Sequence, residues 1–421
     1  MMTLMNAIYD LIVVGGGASG MMAAGRAAER GQRVLLLEKN IRLGEKLRIS
    51  GGGRCNITNA QENVKILLAQ YGLAEKYLHP LFSRFGVGDT FSFFESRGLL
   101  LKIEANNRAF PASEKAEDVV TVLEEYLKKG KVEVAYLSPV TKVVANGKSI
   151  EGVWCGDKNY SAKEYIFATG SVSHPETGST GDGFRWLEKL GHTIAKPTPT
   201  IVPLAVKEKW IKVLMGITLE NVKTHFYVDG QKKFSVMGNV LCTHFGISGP
   251  TILNSAHRVA DLLHEGVVTA RIDAHPNLDL GSLEQKIITL FDEHKNKAFK
   301  NILSEFIPIG TEKGLTLLLA EKIDLEKKVH SVTKGERKYL VQTLKALPVT
   351  IPGLMGFDRA VVADGGIALD EVDWKTMRSK KITNLLVTGD LLHINRPSGG
   401  YSLQLCWSTG YVAGSNVGEM K

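Results

Sequence analysis

Cysteine is scarce and scattered in this sequence. The four cysteines of the 421-residue chain, Cys55, Cys155, Cys242 and Cys406, lie far apart and form no C-x-x-C pair. That spacing argues against a zinc site and against a disulfide framework, and no metal is expected. No apolar run approaches the roughly 20 residues of a membrane span. Met1–Ala7 lacks the basic start and long apolar core of a signal peptide. A cytoplasmic protein without membrane contact is the expectation. Neither sign of charge dominates: 52 Lys and Arg stand against 44 Asp and Glu, a net +8. Such a balance suits an enzyme with a basic surface more than it calls for an anionic partner. Half of the excess lies between Lys286 and Lys345, where twelve basic residues face eight acidic ones. The apolar share of 44% and charged share of 23% are those of a globular protein, and the length calls for two or three domains.

What the chain does contain begins at Tyr9. Leu11 to Val14 is a short, partly β-branched apolar run, as in a strand buried on both faces. Gly15, Gly17 and Gly20 follow in the G-x-G-x-x-G spacing, then an Ala-rich helical segment to Arg30, then a second apolar run, Val34 to Leu37, ending at Glu38. Each part has a job in holding a dinucleotide. Gly15 allows the sharp turn, Gly17 lets backbone approach a pyrophosphate, and Gly20 lets the helix pack on the strand. The helix N-terminus around Ala18 and Ser19 offers N–H groups to phosphate, and Glu38 is placed to accept from ribose hydroxyls. Strand, glycine turn, helix, strand and acid in order are the context this motif requires. No second motif of that kind occurs, so a reductase with a separate nicotinamide domain is not expected.

After Glu38 and Lys39 comes a second glycine-rich stretch, Lys46-Leu-Arg-Ile-Ser50-Gly51-Gly52-Gly53-Arg54-Cys55-Asn56. Three consecutive glycines flanked by such donors suit a loop that wraps a flat or anionic ligand. Together with Val14–Gly20 this stretch resembles the BaiN/RdsA-type family of FAD-dependent oxidoreductases (YhiN-like flavoproteins). Further matches are Ala168-Thr169-Gly170, Thr243-His244 to Gly249-Pro250, Gly389-Asp390 and Gly399-Gly400-Tyr401-Ser402. Two positions depart from the family pattern: Asp390 stands where Glu is usual, and Ser402 where Asn is usual. The resemblance implies an α/β fold: one glutathione-reductase-like Rossmann domain binding FAD, with an inserted antiparallel β domain and a small helical domain. FAD would contact the glycine-rich turn, Glu38, Lys39, Lys46, the Ser50–Asn56 loop, Val140 beside the adenine, Ala168–Gly170, Gly389-Asp390 and Gly399–Ser402.

Along the chain, Gln61 to Lys129 reads as mostly helical. Val132–Val144 and Ser149–Tyr165 alternate like strands, with Asn146-Gly147 as a hairpin turn. Asp182 is placed to cap a helix starting at Gly183. Lys196-Pro-Thr-Pro199 marks a boundary. The expected division is 1–196 with 353–421 for FAD, 197–282 with 348–352 for an antiparallel β domain, and 283–347 for a basic helical insert. Leu385 to Asp390 reads as a buried strand ending in Gly-acid, and Gly399-Gly400-Tyr401 opens the last helix, whose N-terminus would favour the anion of reduced flavin.

The candidate catalytic residues are Cys55, His244 and Tyr401, with His174 beside them. Arg54 next to Cys55 could stabilise a thiolate; the alternative is a small buried residue. Tyr401 would line the flavin or donate a proton. The resemblance implies reduction of an activated C=C bond, with NAD(P)H as a transient electron donor. The preferred substrate is uridine in large-subunit ribosomal RNA, reduced to dihydrouridine, with Cys55 as candidate proton donor. A small amino ketone or unsaturated steroid is the alternative, and a non-catalytic RNA-binding flavoprotein a third reading.

Overall fold

The protein, seen in a computed structural model that describes residues 9–419, forms two compact units. One runs up to Thr198 and resumes at Val361; the other is Pro199–Ala360. The signal-peptide reading of Met1–Ala7 lies outside the described residues. No helix among them is long and apolar enough to cross a membrane.

The first unit is built on a seven-stranded sheet. Its elements in chain order are β1 (Tyr9–Val14), α1 (Ala18–Glu29), β2 (Val34–Leu37), α2 (Ala116–Lys129), β3 (Glu133–Ala135), β4 (Ala162–Phe167), β5 (Val372–Asp373), β6 (Arg378–Ser379), β7 (Leu385–Val387) and α3 (Tyr401–Ser415). The strand order is β5-β6-β7-β4-β1-β2-β3, parallel from β7 to β3. Leu11 to Val14 and Val34 to Leu37 are buried throughout, as expected of strands covered on both faces. On α1, Ala23, Ala24 and Ala27 are buried, small enough for a close neighbour. That neighbour is α3, where a Cβ on Gly410 would stand 2.5 Å from the Ser19 carbonyl oxygen. Helix α2 follows its dipole, with Glu117 and Asp118 in its first turn and Lys128 and Lys129 in its last.

Between β3 and β4 runs a three-stranded meander, Lys142–Asn146, Ser149–Cys155 and Lys158–Tyr160, turned by Gly147 at φ +58°. The stretch from Gln61 is less helical than its pattern suggests. Leu101–Glu104 and Arg108–Pro111 form a hairpin that also pairs with Thr58–Asn59. Lys196-Pro-Thr-Pro199 belongs to a strand, Ile194–Ile201, within which the division between units falls.

In the second unit, a seven-stranded antiparallel sheet has Thr218–Val228 near its centre, paired with Gln231–Cys242 and Val268–Asp273. The turn at Asp229-Gly230 takes positive φ at both residues, as a tight hairpin requires. The helix Pro250–Glu265 buries Ile252, Ala256 and Val259 with the strands. The helices Leu280–Glu293, Glu312–Leu319 and Lys334–Lys345 place Leu283, Leu315 and Leu344 in that same core. Each has one apolar face and needs the sheet to bury it, so the basic helical stretch shares a core with the β strands. The strand Gly353–Leu354 pairs with Leu204–Ala205, and the chain re-enters the first unit at Val361 rather than 353.

Candidate functional site

The glycine turn follows β1. Gly15 has φ +105°, and a Cβ there would stand 2.6 Å from the Ala168 carbonyl oxygen, which is how tightly the turn passes the end of β4. A Cβ on Gly20 would overlap the Gly15 carbonyl, so helix and turn are in contact. Gly17, by contrast, would meet nothing within 4 Å, and as N-cap of α1 it has no side-chain partner. The N-terminal N–H groups at Ala18 and Ser19 thus receive no cap from the Gly17 position. Buried Glu38 accepts from the Gly16 N–H at 2.7 Å and the Asn40 N–H at 2.8 Å. Its carboxylate, expected to accept from ribose hydroxyls, braces the glycine turn. The backbone at Leu137 and Ser138 donates to Asn40 and Glu38 carbonyls, which brings the half-buried Val140 region beside the end of β2.

Lys39 is held by Thr180 at 2.8 Å and Asp182 at 2.9 Å. Asp182 sits in the first turn of the helix Asp182–Lys189 while Gly181 is the N-cap. The expected cap is thus an ion-pair partner of Lys39 and Arg185 instead. The peptide at Thr169-Gly170 turns with φ +70° at Gly170.

The Ser50–Asn56 loop keeps its three glycines exposed, all at positive φ, and a Cβ on Gly52 or Gly53 would meet nothing within 4 Å. Ser50 closes the preceding helical turn on the Leu47 carbonyl at 2.7 Å. Asn56, with its amide oriented to satisfy both ends, donates to the Thr58 and Ala109 carbonyls and accepts from Gly400 N–H at 3.0 Å. Gly400 (φ +99°) is the N-cap of α3, and any side chain there would collide with the Thr58 peptide. Asn59 donates to the Gly399 carbonyl at 3.0 Å, and Thr58 donates to Gln404 at 2.6 Å. Loop and helix end are therefore one construction.

Sequence reasoning missed Arg396. Only 1% of its side chain is exposed, and it bonds the Asp390 carboxylate, Ser402 Oγ at 3.0 Å and the Ile394 carbonyl at 2.6 Å. The two departures from the family pattern, Asp390 and Ser402, are thus the two side chains this guanidinium joins. Lys46 stands 4.0 Å from Asp390 and donates to Ser173 at 2.7 Å; desolvation pulls its pKa down, with Asp390 opposing. Gly389 (φ +64°) packs on Ser19 of α1. A buried arginine is rare without a partner, and a lone Arg in a Pro-Gly loop gave no such signal.

The candidate catalytic residues fare unequally. Cys55 is fully buried, and burial pushes its thiol up to about 12, with Ser50 opposing weakly. Arg54 does not activate it. Its guanidinium lies over Phe110 at 4.2 Å and bonds Glu104 at 2.5 Å and Glu114 at 3.1 Å. Of the two readings left open for Cys55, the small buried residue fits its place: the loop turns the side chain inward at φ +61°. Tyr401 is half-buried in a T-shaped contact with Tyr71, and burial raises its hydroxyl pKa. His244 is exposed in the second unit, its ring edge-on to Phe245. His174 bonds Glu176 at 2.7 Å. Among the described residues no cluster suits a metal ion.

Compared with known proteins, residues 9–416 match the HI0933-like protein Rossmann domain. The chain is 28% identical over 412 residues to a 3-dehydro-bile acid delta(4,6)-reductase of Clostridium scindens, covering 97% of this chain and 98% of that protein. It is 26% identical over 418 residues to the ribosomal RNA dihydrouridine synthase of Haemophilus influenzae, covering 98% and 99%. Among solved structures, 3-ketosteroid delta1-dehydrogenase from Sterolibacterium denitrificans superposes with a TM-score of 0.56 at 13% identity, covering 98% of this chain and all of that one. At that identity the likeness is one of fold.

Proposed function

We propose, from the premise that this chain belongs to the HI0933-like family of BaiN/RdsA-type flavoproteins, that it binds FAD and reduces an activated carbon–carbon double bond. Its best-supported substrate is uridine in large-subunit ribosomal RNA. One observation carries the cofactor reading: the backbone at Gly17 and at Gly52-Gly53 has room where a Cβ would meet nothing, although Gly17 stands among Gly15, Gly16 and Gly20, which are tightly packed. That is the shape a flat, extended dinucleotide fills. The N-terminus of α1 would hold the pyrophosphate and Glu38 the ribose edge. Lys46, Asp390 and the Gly399–Ser402 turn would hold the flavin half, and Val140 the adenine. When bound, FAD supplies the two-electron chemistry. The chain binds and orients the substrate, excludes water and supplies a proton.

The core position of Cys55 argues against it as proton donor. Tyr401, a phenol whose pKa burial raises further above its ordinary value, is the better candidate. The N-terminus of α3 presents positive potential beside it. A nicotinamide donor would enter transiently, since the chain has one dinucleotide fold. The substrate reading draws on the relatives' names: one saturates a conjugated steroid, the other makes dihydrouridine, and both products require loss of a C=C bond. The steroid reductase supports a small-molecule enone as the second reading.

The test is nucleoside analysis of large-subunit rRNA from a deletion strain. Loss of dihydrouridine, restored by the gene, is expected; unchanged dihydrouridine overturns the RNA reading. Stopped-flow mixing with NADH or NADPH is expected to bleach the flavin, and absence of bleaching with either would favour a non-catalytic flavoprotein.

A further inference from the structure

One face of the second unit's sheet carries side chains its core does not use. Alternation along Thr218–Val228 buries Val222, Thr224, Phe226 and Val228 and turns Lys223, His225 and Tyr227 outward. The register sets His225 between Ser235 and Arg271, Tyr227 between Lys232 and Thr269, and Lys223 between Met237 and Asp273, whose carboxylate is taken by Lys345. The Arg271 guanidinium lies 4.6 Å from the Tyr227 ring centre, a diagonal contact across the strands. These two, with His225, Asp273, Gln342 and Lys345, border an open depression of about 370 Å³.

The charge of this face is one-sided. Among the described residues Lys223, Lys232 and Arg271 make no ion pair, whereas the bordering carboxylate of Asp273 is neutralised by Lys345 at 2.6 Å. Cations without an ion pair spaced along a β-sheet, with a ring and a guanidinium in contact between them, match the needs of single-stranded nucleic acid. Bases stack on such planes, and phosphates meet the cations. An acidic peptide would use the charges and leave the stacking planes idle.

We propose that this face binds single-stranded RNA, with a base stacked at the Tyr227–Arg271 pair and phosphates at Lys223 and Lys232. The inference rests on the RNA reading above and deepens it by naming the surface.

The test uses FAD-loaded full-length protein and fluorescence anisotropy with a labelled single-stranded oligouridylate. FAD absorbance per chain and the thermal midpoint control for folding. Tyr227→Ala is expected to weaken binding about tenfold, with Tyr227→Phe close to wild type. The double variant Lys223→Gln/Lys232→Gln is expected to flatten the salt dependence by roughly 0.7 log units per lost phosphate contact. Wild-type affinity in both alanine and glutamine variants overturns the proposal, as does displacement of RNA by polyglutamate at equal charge. If these variants restore dihydrouridine to a deletion strain as fully as wild type, this face falls while the RNA reading stands. If the deletion leaves dihydrouridine unchanged but RNA binding still depends on Tyr227, the face stands and the RNA reading falls.

Discussion

Arg396 is a cation taken almost wholly out of water and held by one carboxylate, one hydroxyl and one carbonyl. Burial of a charge is tolerated only when such partners are complete. Arg396→Leu leaves Asp390 with Lys46 at 4.0 Å as its nearest cation and is expected to destabilise the protein by about 3 kcal/mol. Chemical denaturation checks the magnitude. Pairing it with Asp390→Asn should recover part of the loss, because no lone carboxylate then remains. At Gly15, φ +105° and the nearby Ala168 carbonyl leave no room for a methyl. Gly15→Ala is expected to cost about 1–3 kcal/mol and to lower FAD content, read as flavin absorbance per chain. Cys55→Ser places a hydroxyl in an apolar pocket, expected to cost about 1–3 kcal/mol while flavin reduction proceeds at the wild-type rate. A reduction or turnover rate that collapses at intact stability would return Cys55 to the chemistry.

Elements act here through how closely they approach. Helices α1 and α3 meet across alanines and glycines; a Cβ on Gly410 would stand 2.5 Å from the Ser19 carbonyl oxygen, and one on Gly414 would overlap that of Ala23. Gly410→Val is expected to lower the thermal midpoint by several degrees and to loosen FAD, since α3 carries the Gly399–Ser402 turn at its N-terminus. Retention of both would mean that this contact yields without moving the turn. The same scale explains what could be read beforehand. The βαβ unit was legible because strand burial, glycine spacing and helix periodicity coincide within Tyr9–Glu38. The hairpin at Leu101–Pro111 was not, because its strands are short and Ile103 faces solvent, so no alternation marks it.

For the whole molecule, pH is a broad probe. His192 is buried with Nδ1 on Glu371 at 2.9 Å and Nε2 on Ser379 at 2.9 Å. Burial would raise the Glu371 carboxyl, but hydrogen bonds from Lys381, the Thr193 backbone and His192 together bring it down to about 2. Burial also lowers His192, with Glu371 opposing. Both folded pKa values lie below their unfolded ones. Their contributions are therefore complete above the unfolded pKa of each group and are lost as pH falls, first through the histidine range below 6.5 and then between 4.5 and about 2. Glu371→Gln should flatten the acid limb of a stability–pH curve below 4.5; an unaltered limb would show that other carboxylates govern it. The net charge of +8 set no partner by itself. Under the proposal above its distribution matters more: Lys327 is ion-paired with Glu336 and Arg337 with Glu284, while among the described residues Lys223, Lys232 and Arg271, gathered on one sheet face, make no ion pair.

The sequence by itself determined the dinucleotide fold, the glycine-lined turns and the buried strand Leu385–Val387, though Gly389-Asp390 lies in a helical turn after that strand rather than at its end, because local spacing and backbone freedom are properties of neighbours in the chain. It could not determine that Cys55 points into the core, that Glu38 braces the glycine turn, or that Arg396 joins Asp390 to Ser402. Those outcomes depend on which distant groups arrive beside a side chain and exclude water from it, and only the tertiary structure decides that.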